Sequence, residues 1–273
     1  MQYRKLCFIG AGNMAGAIVA GIVSKGYPAE LVTVCAPSTT HRDALATRHG
    51  IISSADNIQA ASEADVVVLA VKPQMMAAVC QELQQQVDFT GKLVLSIAAG
   101  VTVSRFYALL GDNLNIVRIM PNTPSLIGKG MSGLYAPQQV SQQDKDYSSQ
   151  LMSAVGKVCW VSNEDGINHI IAAAGSAPAY FFLFMEAMQQ EIERMGFSAE
   201  DARQLVQQTA SGAAALVEAS PDTPLSTLRE QVTSKGGTTF AALGVFNQHQ
   251  LPQIVAQAMQ AAIARAQEME KLF

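Results

Sequence analysis

Short, unbroken apolar runs recur through the first half of this chain, at 5–9, 32–35, 66–71, 93–97, 116–120, 133–136 and 158–161. They are rich in β-branched residues and show no polar alternation, which suits strands covered on both faces, and the stretches between them carry helical periodicity. That alternation predicts an α/β fold, a doubly wound Rossmann sheet of parallel strands joined by helical crossovers. After Trp160 the strand pattern stops. Segments 163–175, 177–195, 198–219, 225–232, 238–247 and 252–271 all read as helices, with Gly196 closing one and Ser198-Ala199-Glu200-Asp201 opening the next as a capping box. Pro178 falls in the first turn of its helix, where its missing N–H costs nothing. The 273 residues therefore divide into an α/β domain over 1–162 and an all-helical domain over 163–273.

Composition sharpens the second half. Apolar residues make up 49% and charged ones 15%, against a usual charged share of about 25%. Little polar surface is left for water. The run Tyr180-Phe181-Phe182-Leu183-Phe184-Met185 is apolar all the way round, so its helix needs cover on several sides; a partner subunit is the natural cover, and the central helix of a monomeric bundle is the alternative. The net charge of −4 comes without a basic stripe, which argues against nucleic acid or an anionic membrane surface and for a small-molecule client. No signal peptide is expected, no apolar run approaches the roughly 20 residues of a membrane span, and the expected location is cytoplasmic. The 4 cysteines stand singly, as buried residues in a reducing compartment. The 4 histidines lack partners at ligand spacing, so no metal site is expected.

The first apolar run ends at Ile9 and leads into Gly10-Ala11-Gly12-Asn13-Met14-Ala15-Gly16, then a helix. Gly10 makes a tight turn, Gly12 lets backbone approach a pyrophosphate, and Ala15 lets the helix press on its strand. The motif is weak alone; its place after the first strand makes it a dinucleotide site. The second run ends in Cys35-Ala36-Pro37-Ser38-Thr39-Thr40-His41-Arg42, without the carboxylate that holds an NAD ribose. Ser38, Arg42 and His41 suit a 2′-phosphate, so NADPH is the preferred cofactor and NADH the alternative. Ala70-Val71-Lys72-Pro73, Ala98-Ala99-Gly100 and Pro121-Asn122-Thr123-Pro124 stand at later strand ends, where open parallel sheets hold ligands. Singly, each is also ordinary loop chemistry.

One stretch interrupts the helical half: Thr233-Ser234-Lys235-Gly236-Gly237-Thr238-Thr239. Glycines beside a helix start leave N–H groups free to bind a carboxylate, but taken alone these residues read first as a capped turn between helices. The motifs together, IGAGNMA, AVKP, SIAAG, MPNTP, GSAPAY and above all LREQVTSKGGTTFAAL, resemble pyrroline-5-carboxylate reductase across the whole chain. Ala177 stands where that family usually has glycine, and Lys235 where proline is common.

The resemblance implies reduction of L-1-pyrroline-5-carboxylate to L-proline with NAD(P)H, the last step of proline biosynthesis. It implies a homodimer with interlocked helical domains, which in the family often assembles into a decamer. It places the cofactor against Ile9, Gly10, Ala11, Gly12, Asn13 and Met14, with Ser38, Arg42 and Asn57 at the ribose. Ala70, Val71, Lys72, Pro73, Ala98, Ala99, Gly100 and Asn122 line the nicotinamide end. Substrate falls to Ser234, Gly236, Gly237, Thr238 and Thr239, with Ser234 and Thr239 as the catalytic pair. Related hydroxyacid reductases would be expected to carry a lysine acid on a helix of the second domain, and 163–232 contains no Lys. A non-catalytic NAD(P) sensor remains the alternative of a different class.

Overall fold

The computed structural model describes residues 2–273. Among them an eight-stranded sheet runs in the order β3-β2-β1-β4-β5-β6-β7-β8. The strands are β1 (Leu6–Ile9), β2 (Val32–Cys35), β3 (Ile52–Ser54), β4 (Val66–Leu69), β5 (Leu93–Ser96), β6 (Asn115–Met120), β7 (Gly130–Tyr135) and β8 (Gly156–Trp160). Period-two alternation splits each strand between two hydrophobic layers. Leu6 and Phe8 of β1 face Ala15, Ile18, Val19 and Ile22 of helix α1 (Asn13–Ser24). Cys7 and Ile9 face the other layer, with Ala60 and Ala61 of α3 (Asn57–Glu63), Met76, Cys80 and Leu83 of α4 (Pro73–Gln84), and Phe106 of α5 (Val103–Leu110). The remaining helices of this half are α2 (Thr39–His49) and α6 (Gln142–Met152).

Two features depart from the expected parallel sheet. β3 is an additional edge strand, short and largely exposed, so it carries no apolar run to betray it. β6 and β7 pair antiparallel, while every other neighbouring pair is parallel. The link between them holds only a 3₁₀ turn over Thr123–Ile127, and a parallel return needs a crossover of a dozen or more residues.

Helical structure follows Trp160: α7 (Gly166–Ile170), a π turn over Ile171–Gly175, α8 (Ala177–Arg194), α9 (Ala199–Ala219), α10 (Leu225–Gln231), α11 (Thr238–Gln248) and α12 (Leu251–Glu270). Packing does not divide the chain at 162/163. The chain up to Pro178 forms one compact unit together with Ala261–Phe273, and Ala179–Gln260 forms the other. The reason is chemical: Glu164, just before α7, and Glu270, at the end of α12, pair with Arg118 of β6, and Asn122 beyond β6 donates to the Ala174 carbonyl of the π turn.

Within the helical unit almost nothing is buried. α8, α10 and α11 have no buried residue, and Phe181, Phe182 and Leu183 are each more than half exposed. The continuous helical stretch Gly166–Arg194 is long and apolar enough, by length and composition, to cross a membrane. That corrects the expectation that no segment comes near such a span. Turn residues within GSAPAY had hidden a helix that runs through them by widening one turn.

Candidate active site

The glycine turn after β1 has the geometry its sequence requires. Gly10 sits at φ +115°, and an added Cβ would lie 2.6 Å from the Ala70 carbonyl oxygen. Its N–H donates to the Cys35 carbonyl at 2.7 Å, while Ala70 N–H donates to the Ile9 carbonyl at 2.9 Å. The ends of β1, β2 and β4 therefore meet at this one residue, where the strand order reverses direction and open α/β sheets bind ligands. Gly12 caps α1 without any side-chain hydrogen bond, and a Cβ there would meet nothing within 4 Å. The result is a cradle of open N–H groups at a helix N-terminus. Ala11, Gly12 and Asn13 continue into a groove of about 350 Å³ between α1 and α2, whose other wall carries His41, Arg48 and His49. Met14 packs against the core beneath, and Ala15 is buried against the sheet.

At the ribose end the cations divide their work differently from expectation. Arg42 is buried; its Nη1 donates to the Ala36 carbonyl and its Nε to Asp43, both at 2.9 Å. It braces the loop after β2, with two of its three nitrogens already engaged. The Asp43 carboxyl lies below its usual range because of that Arg42 hydrogen bond. Ser38 precedes α2 with its side chain exposed and uncommitted to capping, and His41 is exposed beside it. The His49 imidazole is held below its normal value, first by burial and then by Arg48. Asn57 opens α3 after β3, in a turn whose cap is made by Asp56 instead. Beneath the loop, Cys7 and Cys35 lie with sulfurs 3.9 Å apart. Their shared hydrogen bond raises the first thiol, with burial adding to it, and lowers the second against burial.

Three strand ends carry the residues expected at the nicotinamide. Ala70, Val71, Lys72 and Pro73 form the β4–α4 turn, with Pro73 at the start of the helix. Ala98 is buried and Ala99 partly so, and neither side chain exceeds a methyl group. Gly100 is not open space for a ligand: it sits at φ +75°, and its Cα face abuts Met269 and Phe273. Asn122 also departs from its expected role, because its amide is consumed by the protein. Nδ2 donates to the Ala174 carbonyl at 3.0 Å and Oδ1 accepts from the Met131 N–H at 2.8 Å. It clamps the π turn to β7, and any contact with a cofactor is left to its backbone.

In the helical unit, Gly236 takes φ +73° and Gly237 caps α11. A Cβ on Gly237 would stand 2.4 Å from the Ser234 Oγ. The Ser234 hydroxyl thus lies over that glycine, at the mouth of the helix. No side chain caps α11, so the first N–H groups of the helix, those of Thr238 and Thr239 among them, have no side-chain acceptor. Ser234, Gly236, Thr238 and Thr239 are all exposed in the single chain.

The residue reading missed a buried charge cluster. Arg118 of β6 is 2% exposed and pairs with Glu164, whose Oε1 also accepts the Val103 N–H at 2.7 Å. Glu270 Oε1 lies 3.3 Å from Arg118, and its Oε2 accepts from Asn168 at 3.2 Å. The available signal was Arg118 itself, a charge inside the apolar run 116–120. Tyr107 and Tyr135 are raised first by burial, with Glu164 contributing to both.

A doubly wound sheet with a glycine cradle at its switch point, followed by a helical segment that exposes apolar side chains, defines the class as a dinucleotide-binding α/β protein with a helical association segment. Comparison with known proteins agrees. Residues 164–269 match the family model for pyrroline-5-carboxylate reductase dimerisation. Residues 5–100 match that for NADP oxidoreductases, coenzyme F420-dependent. The chain is 63% identical to the pyrroline-5-carboxylate reductase of Vibrio alginolyticus over 273 residues, covering 100% of both. A solved structure of the reductase from Coxiella burnetii superposes with a TM-score of 0.93 at 41% identity, over 98% of this chain and 99% of that one. The Plasmodium falciparum pyrroline carboxylate reductase, solved with NADP bound, superposes at 0.87 with 28% identity, over 99% of each. The chain belongs to the pyrroline-5-carboxylate reductase family, and its helical segment makes it a homo-oligomer.

Proposed function

We propose that this chain reduces L-1-pyrroline-5-carboxylate to L-proline with a nicotinamide dinucleotide, NADPH in preference to NADH, in the cytoplasm. The observation that carries the reading is Ser234 Oγ held over Gly237 at an uncapped helix start, in a chain 63% identical, end to end, to a relative bearing that name. The exposure of this stretch supports a site completed by another subunit's nucleotide loops. Interlocked helical domains in a homodimer, or a decamer of such dimers, would supply that arrangement.

The cradle fits a dinucleotide: Gly12 leaves the space a pyrophosphate needs, and α1 offers the uncapped N–H groups to receive it. Ser38, His41 and Asn57 surround the ribose end, and the methyl-sized side chains of Ala70, Ala98 and Ala99 leave a flat floor for a ring. When bound, the reduced cofactor supplies a hydride. The chain's own residues orient the acceptor: the Ser234 hydroxyl and the N–H groups from Gly236 to Thr238 grip the substrate carboxylate. Thr239 hydrogen-bonds the ring nitrogen, so that reacting atoms sit at about 3–3.5 Å. A protonated imine is already electrophilic, so no strong acid is required and solvent can supply the proton. Thr239 stabilises the nitrogen as its charge changes.

The defining experiment offers L-1-pyrroline-5-carboxylate with NADPH or NADH and follows cofactor oxidation and proline formation. Cofactor binding without oxidation would establish a sensor instead. Thr239→Ala is expected to lower kcat by about 10–100-fold with little change in nucleotide affinity, as loss of one transition-state hydrogen bond implies. Unchanged turnover removes Thr239 from the mechanism.

Gly237→Ala tests the clamp through geometry alone. The new methyl displaces the Ser234 hydroxyl, which can rotate, and presses at 3.2 Å on the Ser234 carbonyl oxygen, which must shift slightly; the melting temperature should fall by no more than a few degrees while the substrate KM rises about tenfold, the scale of one hydrogen bond to a charged group. Ser234→Ala should give a similar KM, and the double variant should add little. Additive losses would show that the two positions act separately.

A further inference from the structure

We propose that the end of α12 is a latch that sets the position of the nicotinamide loop, with Glu270 and Phe273 as positioning residues; this rests on the cofactor reading above. In the loop after β5, Ala98, Ala99 and Gly100 carry nothing larger than a methyl group, so this stretch positions a ring mainly through its backbone. That backbone is supported from α12. At Gly100 a Cβ would lie 3.1 Å from Met269 Cβ and 3.3 Å from Phe273 Cδ2, so the glycine lets the loop lie flat on the helix end. Arg105, in the first turn of α5, donates from Nε to the Phe273 carbonyl at 2.7 Å.

The far end of the loop is held by charge. The Val103 N–H, where the loop becomes α5, donates to Glu164 Oε1 at 2.7 Å. Glu164 is fixed by Arg118, and Arg118 by Glu270, at 3.3 Å from Nη1 and 3.4 Å from Nη2. Glu270 in turn accepts from Asn168, and Gln267 donates to Asp165 at 3.3 Å. A buried guanidinium needs its partners in place, so losing Glu270 leaves Arg118 with Glu164 alone and loosens the acceptor of the Val103 N–H. The ties to Gly100, Arg105 and Arg118 thus bear on the loop 98–103 or on residues next to its anchor, while those to Asn168 and Asp165 hold the helix end to the start of α7. Small displacements of a reacting group cost rate steeply, which makes a loop built from alanine and glycine dependent on what lies beneath it.

The test compares two ligands on the assembled enzyme, NADPH and adenosine 2′,5′-bisphosphate, which lacks the nicotinamide. In Glu270→Gln and Phe273→Ala the NADPH dissociation constant is expected to rise and kcat to fall by about tenfold or more, while the bisphosphate binds as in the parent. Amide exchange at 98–103 in the nucleotide-free enzyme should quicken in the same variants. Arg105→Ala, at an exposed position, removes one tie without touching the buried charges and should show a smaller shift in the same direction. Equal loss of both ligands would mean a general structural role and overturn the proposal, as would unchanged NADPH binding or unchanged exchange. If the parent binds NADPH yet reduces no pyrroline-5-carboxylate, the assignment of the reaction fails while the two affinities and the exchange still judge the latch.

Discussion

Gly10→Val should lower the affinity for NADPH by at least about 100-fold, close to 2.7 kcal/mol, as measured by fluorescence titration of the purified protein. Two effects act together. At φ +115° a β-branched residue is strained, by about 1–3 kcal/mol. Its Cβ would also stand 2.6 Å from the Ala70 carbonyl oxygen, a backbone atom that cannot swing aside. Relief requires the β1 turn and the β4 turn to part, which breaks the Gly10-to-Cys35 and Ala70-to-Ile9 hydrogen bonds that shape the cradle. Gly12→Ala is the matched control. Its methyl meets nothing in the protein, so the melting temperature should hold while affinity falls, because the methyl fills the cradle itself. Equal, mild effects from both substitutions would remove this turn from the binding site.

Leu183→Glu is expected to convert the oligomer to monomers, read by light scattering, and to abolish reductase activity while NADPH binding survives. Leu183 is 66% exposed in the single chain, and its neighbours Phe181 and Phe182 are 68% and 61% exposed. An exposed apolar patch of that extent marks an association surface. Obligate interfaces of this kind bury roughly 2,000–5,000 Å² and resemble a core cut in half. A carboxylate placed there carries a penalty of several kcal/mol per ion, and symmetry makes each dimer bear it twice. Nucleotide binding should persist, since the cradle belongs entirely to the sheet unit. An intact oligomer in this variant would show that α8 does not form the contact.

The two residue classes read from sequence fared differently because they depend on different ranges of interaction. Strands β1, β2, β4, β5 and β6 lie within or across the apolar runs that announced them, since burial on both faces writes itself as an unbroken run. The edge strand β3 was silent because an exposed strand needs no such run. The π turn was read as a helix end for a related reason. Gly175 and Pro178 look like punctuation, but the Ala174 carbonyl, four residues before a proline that has no N–H to offer it, is taken by Asn122, far away in sequence.

What the sequence determined by itself is therefore local. It set the alternation that builds a doubly wound sheet, the glycine turn at the end of β1, and the glycine-led helix start after Lys235, because each follows from the conformational needs of neighbouring residues; that no side chain caps this start came from the structure. Tertiary structure decided which polar groups are already spent. Asn122 is committed to β7 and the π turn, Arg42 to its own loop, and the Cα face of Gly100 to α12. Arg118 finds its carboxylates on segments that only folding brings together. A hydrogen bond between distant residues leaves no periodicity to read, so a side chain's chemistry shows in the sequence while its partner does not.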